Sequence, residues 1–99
     1  MKKPKRKVDR SLLDFITTLP CLICQRVPSD PDHITSRGAG GNDSAVNVWP
    51  LCREHHTLRH AKGLVWMVQN HVVLQIWLES ACRTDILERA GIGSTGEQR

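Results

Sequence analysis

Tyrosine is absent from the 99 residues, and phenylalanine occurs once, at Phe15. Three tryptophans, Trp49, Trp66 and Trp77, therefore have to supply the aromatic part of any core. Long apolar runs are missing as well. No stretch reaches the roughly 20 residues that a bilayer-spanning helix needs, so no membrane partner is expected. No N-terminal segment joins basic residues to an apolar run and a cleavage site, so no secretory leader is expected either. Cysteine is sparse, at four residues, Cys21, Cys24, Cys52 and Cys82. In the cytoplasmic, reducing setting that these features imply, closely spaced cysteines more often hold metal than form disulfides. The length suits one domain, and a fold this small gains from a staple such as a bound metal.

Acidic residues are scarce at the N-terminus. Residues 1–10 hold six Lys/Arg (Lys2, Lys3, Lys5, Arg6, Lys7, Arg10) against Asp9 alone, a net +5 out of the chain's +4, so the remainder sums to −1. The basic excess is thus an arm, and such an arm suits a polyanion, most simply nucleic acid. Lys3, Lys5 and Arg6 are the expected contacts. Residues 1–8 read as a disordered arm, 9–91 as one domain and 92–99 as a polar tail.

Within the domain, Leu12, Leu13, Phe15, Ile16 and Leu19 recur at helical spacing. Asp9 or Ser11 is the candidate cap, Pro20 the stop, and Phe15 is placed in the helix core. Residues 25–48 are rich in Pro, Gly, Ser, Asp and Asn, and predict loops with two short strands near 32–35 and 46–49 around the glycine-rich Arg37–Asp43. A short helix is expected over 51–60 after Pro50. Helical segments follow over Leu64–Val68, Val72–Cys82 and Asp85–Ala90. Cys82 lies on an apolar helical face and reads as a core thiol, and His71 reads as structural. The apolar C-terminal helices close a monomer core or form a weak dimer face.

Cys21 and Cys24 are spaced so that both sulfurs reach one ion from a single turn. Cys52 and His55 repeat that spacing, which completes the four N/S ligands of a structural zinc site. His56 and His60, at i and i+4, share one face of the same helix and can grip a second ion. Asp32 and His33 are neighbours near a strand, so their side chains point to opposite sides. Asp32 with two imidazoles leaves open positions on a divalent cation, as catalysis requires. His33 is then free to act as general base, because its ordinary pKa is close to neutrality. His55 and His56 point about 100° apart on a helix and cannot easily serve one ion; the i+4 relation gives His56 to the second site and His55 to zinc. Asp with two His accepts Mg, Mn, Ni, Co or Zn.

Asp32-His33, then Asn47, then His56 and His60, flanked by Cys-x-x-Cys and Cys-x-x-His, resemble the HNH endonucleases. The stretches His33–Asp43 and Asn47–His56 are similar to small HNH proteins of phages and prophages, and the resemblance covers about residues 21–63. Many zinc-bearing members have Cys where this chain has His55. The resemblance implies a small α+β fold, a ββα-metal core with a zinc knuckle and flanking helices. It also implies metal-dependent hydrolysis of DNA phosphodiester bonds, with His33 as base, an ion on Asp32, His56 and His60, and products with 5′-phosphate and 3′-hydroxyl. By the same resemblance Asn47 ties the loop together and helps to orient His33. Asp43 orders the glycine-rich loop or bonds to a metal-site residue. Arg37 and Lys62 are the phosphate-contact candidates near the ion. DNA is the expected partner, with phage or recombination proteins as further partners.

Two other readings compete. A non-catalytic zinc module that binds DNA needs only the first cluster and the basic arm, and leaves Asp32, His33, Asn47, His56 and His60 without a role. An RNase or secreted toxin nuclease would share the second cluster. Single-stranded RNA is commonly read on stacking aromatics, and the chain shows no such platform.

Overall fold

Proline sits on each of the two short strands, and the hairpin is built around that fact. The computed structural model describes residues 8–93. Strands β1 (Asp30–His33) and β2 (Val48–Leu51) pair antiparallel, with Asp30 opposite Leu51, Pro31 opposite Pro50, Asp32 opposite Trp49 and His33 opposite Val48. Proline has no N–H to give to a ladder. An antiparallel pair alternates hydrogen-bonded and non-bonded steps, so one non-bonded step accommodates both prolines at once. The Pro50 carbonyl points outward and takes the Leu22 N–H at 3.1 Å. The strands thus lie two residues away from the expected positions, because proline alone does not mark the end of a strand in a two-stranded ribbon.

Strand alternation gives the hairpin two different faces. Val48 meets Leu13 and Ile16 of helix α1 (Arg10–Thr17) in a small apolar cluster on one face. Trp49 and Leu51 face the larger core, formed with Met67, Val68, Leu74, Leu78, Ile86 and Leu87. That core is supplied by α2 (Arg53–Lys62), α3 (Leu64–Asn70), α4 (Val72–Ser80) and α5 (Thr84–Arg89), each packed on the next or on the hairpin. The result is a small α+β fold in a ββα-like arrangement, a two-stranded hairpin on helices.

Local signals explain the boundaries. The Asp9 side chain accepts the Leu12 N–H and starts α1, as an N-cap should. Cys52 occupies the N-cap of α2, two residues later than expected, since Leu51 still belongs to the strand. Gly63, at φ +96°, lets α2 end and α3 begin without an intervening loop. Trp49 and Trp77 meet edge to face at 5.3 Å and fill the space that other aromatics would otherwise take. Helix α4 is apolar on most sides, yet only Leu74 and Leu78 are fully buried, while Val72, Val73 and Ile76 remain exposed.

Two expectations fail here. Phe15 is 58% exposed, because the apolar stripe of α1 that meets the hairpin is Leu13 and Ile16. Cys82 is exposed and adopts a left-handed backbone (φ 57°) in the turn after α4, so the helix ends before it can join the core. The basic arm with Lys3, Lys5 and Arg6, and the tail from residue 94, lie outside the described residues. Among the described residues no helix is long and apolar enough to cross a membrane.

Candidate metal centres

The first cluster forms where the knuckle after α1 meets the start of α2. Within the knuckle the Cys21 N–H bonds to the Arg26 carbonyl and the Gln25 N–H to the Cys21 carbonyl, which closes a tight turn. Cys24 Sγ lies 3.6 Å from Cys52 Sγ, and His55 Nδ1 lies 3.3 Å from Cys52 Sγ and 3.7 Å from Cys21 Sγ. These four donor atoms all lie within 4.8 Å of one another. Zinc–sulfur and zinc–nitrogen bonds in a tetrahedron place neighbouring ligand atoms roughly 3.6–3.8 Å apart, so the donor set and its spacing fit zinc. The sulfurs are too far apart for a disulfide, whose S–S bond is about 2.05 Å. Burial and the neighbouring Cys24 and Cys21 push the Cys52 thiol up, although the His55 N–H opposes this. Burial works the same way on Cys21, but backbone N–H groups of Cys52, Cys24 and Ile23 outweigh it and draw that thiol down. A cation among the sulfurs relieves the conflict, because it favours every thiolate together.

The second cluster joins the large-core face of β1 to α2. Asp32 Oδ1 lies 3.3 Å from His56 Nε2 and 3.7 Å from His60 Nε2, and the two imidazole nitrogens are 3.2 Å apart. Ligands about 2.1 Å from one ion stand roughly 3.0–3.4 Å apart. Two of the three separations fall in that range, and a small turn of the exposed His60 ring brings in the third, so these atoms suit a divalent cation. The other oxygen of Asp32 is already taken: Trp49 Nε1 donates to Oδ2 at 2.7 Å and Arg59 Nε at 3.1 Å. Asp32 can therefore offer one oxygen to an ion. Asp30, two residues earlier on the same face, accepts from His56 Nδ1 at 3.0 Å, which leaves Nε2 as the nitrogen turned toward Asp32. Carboxylates commonly orient metal-binding imidazoles in this way. Asp32 is 1% exposed, whereas His60 is 61% exposed, so the cluster opens to solvent at its His60 corner.

His33 points the other way, as alternation requires, and its Nε2 meets Asp43 Oδ1 at 2.7 Å. Asp43 also receives Arg37 through Nε and Nη2 and the Asp9 N–H through Oδ2. Burial works against ionisation of Asp43, yet the hydrogen bonds from His33, Arg37 and Asp9 outweigh it and hold the carboxyl well below the usual carboxylate range. Asn47 ties the loop: Oδ1 accepts the Thr35 N–H, and Nδ2 donates to the Thr35 and Asn42 carbonyls. It makes no direct bond to His33 in these contacts; the residue on the imidazole is Asp43. Gly41 lies where a Cβ would be 1.8 Å from the Thr35 carbonyl oxygen, so only glycine lets the loop pass there.

The belonging of this sequence to a wider set is now decided by a match over residues 1–84, which takes in both clusters, the hairpin and α1 to α4. The chain belongs to the DUF968 family. That family is described as a protein of unknown function. No curated protein and no solved structure matches the chain.

Three residues of this DUF968 chain escape a reading of motifs. Arg59 reaches from α2 to Asp32 and to the His33 and Ile34 carbonyls, both at 3.0 Å. Arg83, just before α5, donates to the Val46 carbonyl, Asn47 Oδ1 and Thr35 Oγ1. Arg53 meets Asp30 at 2.9 Å. Each partner is distant in sequence, so no local spacing marks it; the one available hint is that Arg59 falls between the ligands of a helix. Arg37, expected free for phosphate, is paired with Asp43, and Lys62 Nζ lies 5.3 Å over the Trp66 ring.

Proposed function

We propose that this chain is a metal-dependent DNA endonuclease of the HNH type, with structural zinc on Cys21, Cys24, Cys52 and His55. The observation that carries the reading is the second cluster, Asp32, His56 and His60, a three-ligand group separate from the zinc cluster. His33 follows Asp32 in sequence and lies on the opposite face of β1. A zinc staple needs four ligands, and this fold brings together three more on the adjacent strand and helix. A divalent ion held there supplies charge neutralisation at a phosphate as the P–O bond breaks.

The chain's own residues do the rest. Asp32 offers Oδ1 while Trp49 and Arg59 hold its other oxygen. His33 takes the proton from the attacking water as general base. Asn47 keeps the strand-to-loop junction that carries His33 in place, through its bonds to Thr35 and Asn42. DNA is the substrate and partner that suit the basic N-terminal arm, since phosphate contacts from Lys and Arg dominate DNA affinity.

The test is cleavage of supercoiled plasmid with Mg²⁺, Mn²⁺, Ni²⁺ or Zn²⁺ added in turn. Wild type and His33→Ala are compared, with zinc measured on the same preparations. Metal-dependent nicking lost in the variant, at unchanged zinc content, is the expected result. If wild type binds zinc and DNA yet cleaves no plasmid, single-stranded or branched DNA with any ion, the chain is a non-catalytic zinc module and the nuclease reading fails.

A further inference from the structure

We propose that Asp43 is the positioning residue for His33, fixing the imidazole with its proton on Nε2 and leaving Nδ1 to take a proton. The starting point is what surrounds the carboxylate. Asp43, with 1% of its side chain exposed, is engaged by His33 Nε2 at 2.7 Å, by the Arg37 guanidinium at 2.8 Å on each oxygen, and by the Asp9 N–H at 2.9 Å. A guanidinium and a backbone N–H only donate, so the group that receives them is a carboxylate acting as acceptor. It has no proton to give to the ring. The third bond must run from His33 Nε2–H to Asp43 Oδ1, which puts a proton on Nε2 and, in the neutral ring, leaves Nδ1 as the acceptor.

The loop that delivers Asp43 is fixed independently of the histidine. Asn47 Nδ2 holds the carbonyl of Asn42, the residue before Asp43, at 2.8 Å. Arg83 grips Val46 and Asn47 from the C-terminal part of the fold. The Asp9 N–H reaches Asp43 from the start of α1. Three separate parts of the chain thus hold the loop that carries Asp43, and its carboxylate ends on the ring of the proposed base. Arg37 has a role in the same chain of contacts: it balances the charge of Asp43 and fixes its carboxylate, with Nη2 bridging both oxygens and Nε on Oδ1. That His33 is a catalytic base rests on the nuclease reading; the tautomer does not.

Two readouts test this. Long-range proton–nitrogen correlation spectra of the full, zinc-loaded chain with labelled histidine report which ring nitrogen carries the proton, with His33 assigned by its loss in His33→Ala. The neutral form protonated on Nε2 alone is expected near neutral pH; a ring protonated on Nδ1, alone or together with Nε2, or rapid exchange between forms, overturns the proposal without any variant of Asp43. Asp43→Ala then loses kcat by roughly 10- to 100-fold, the usual scale for removing an outer-shell partner, with KM and zinc content held. A merely structural Asp43 would lower the melting temperature and leave kcat per folded molecule unchanged, and that outcome also overturns it. If Asp43→Ala does not fold, the wild-type spectrum decides alone. If wild type cleaves nothing, the nuclease reading fails while the spectrum still decides the role of Asp43.

Discussion

Replacing Arg59 by alanine should be among the most damaging single changes outside the zinc cluster. The guanidinium is 13% exposed and makes three bonds: to Asp32 Oδ2 and to the His33 and Ile34 carbonyls. Its loss leaves the Asp32 carboxylate, 1% exposed, with Trp49 Nε1 and the histidines but without its arginine. It also strips two strand-end carbonyls of a donor. Removing one partner of a buried ion pair costs about 3–5 kcal/mol, and the low end applies because Trp49 still holds the stranded oxygen. At about 4–8 °C per kcal/mol for a domain of this size, ~3 kcal/mol lowers the melting temperature by roughly 12–24 °C. Arg59→Lys keeps the charge but not the planar fork, and should recover part of the loss. Zinc-loaded protein followed by urea unfolding gives the number, and a cycle with Asp32→Asn isolates the charge pair. The double variant should be destabilised by less than the sum of the singles. An Arg59→Ala cost below ~1 kcal/mol, the scale of an exposed pair, or full additivity in the cycle, would refute the argument that Arg59 sustains the buried carboxylate.

Chelating the zinc should unfold the chain outright, because structural zinc contributes about 10–16 kcal/mol at neutral pH against a total stability of about 5–15 kcal/mol; helical circular dichroism that survives a strong chelator would contradict the staple. Gly41→Ala should cost more than ~1 kcal/mol even after relaxation, since its Cβ meets the Thr35 backbone and not a movable side-chain tip; denaturation midpoints check it. The pH dependence follows from Asp43, whose carboxyl is held below its ordinary value. A depressed folded-state pKa gives stability that is complete above the unfolded value of about 3.9 and is lost as pH falls through the folded value. The stability gap between wild type and Asp43→Asn should thus be widest near neutrality and shrink below about pH 4; a gap constant with pH, measured by urea unfolding at each pH, would contradict the ionised, paired Asp43.

The residues that make up both clusters were legible in the sequence because ligand spacing is a local property. Cys21 with Cys24, Cys52 with His55, and His56 with His60 are each set by one turn of backbone, and turns repeat reliably. The opposed directions of Asp32 and His33 likewise follow from strand alternation, which holds wherever the strand ends are drawn. Element order and the helical positions of α1 to α5 follow from apolar periodicity in the same way. Tertiary structure alone decided the strand register, because two prolines that look like breakers share one non-bonded step of a two-stranded ladder. It also decided what surrounds each functional side chain. Asp43 on His33, Arg59 on Asp32, Asp30 on His56 and Arg83 on Asn47 join residues 10 to 36 positions apart. Such partners are chosen by where the chain is brought back in space, and a one-dimensional pattern has no term for that. Phe15 and Cys82 carry the same lesson in reverse: an apolar residue is buried only when its own stripe meets another element, and here the stripe of α1 is spent on Leu13 and Ile16, while α4 has already ended at Ser80.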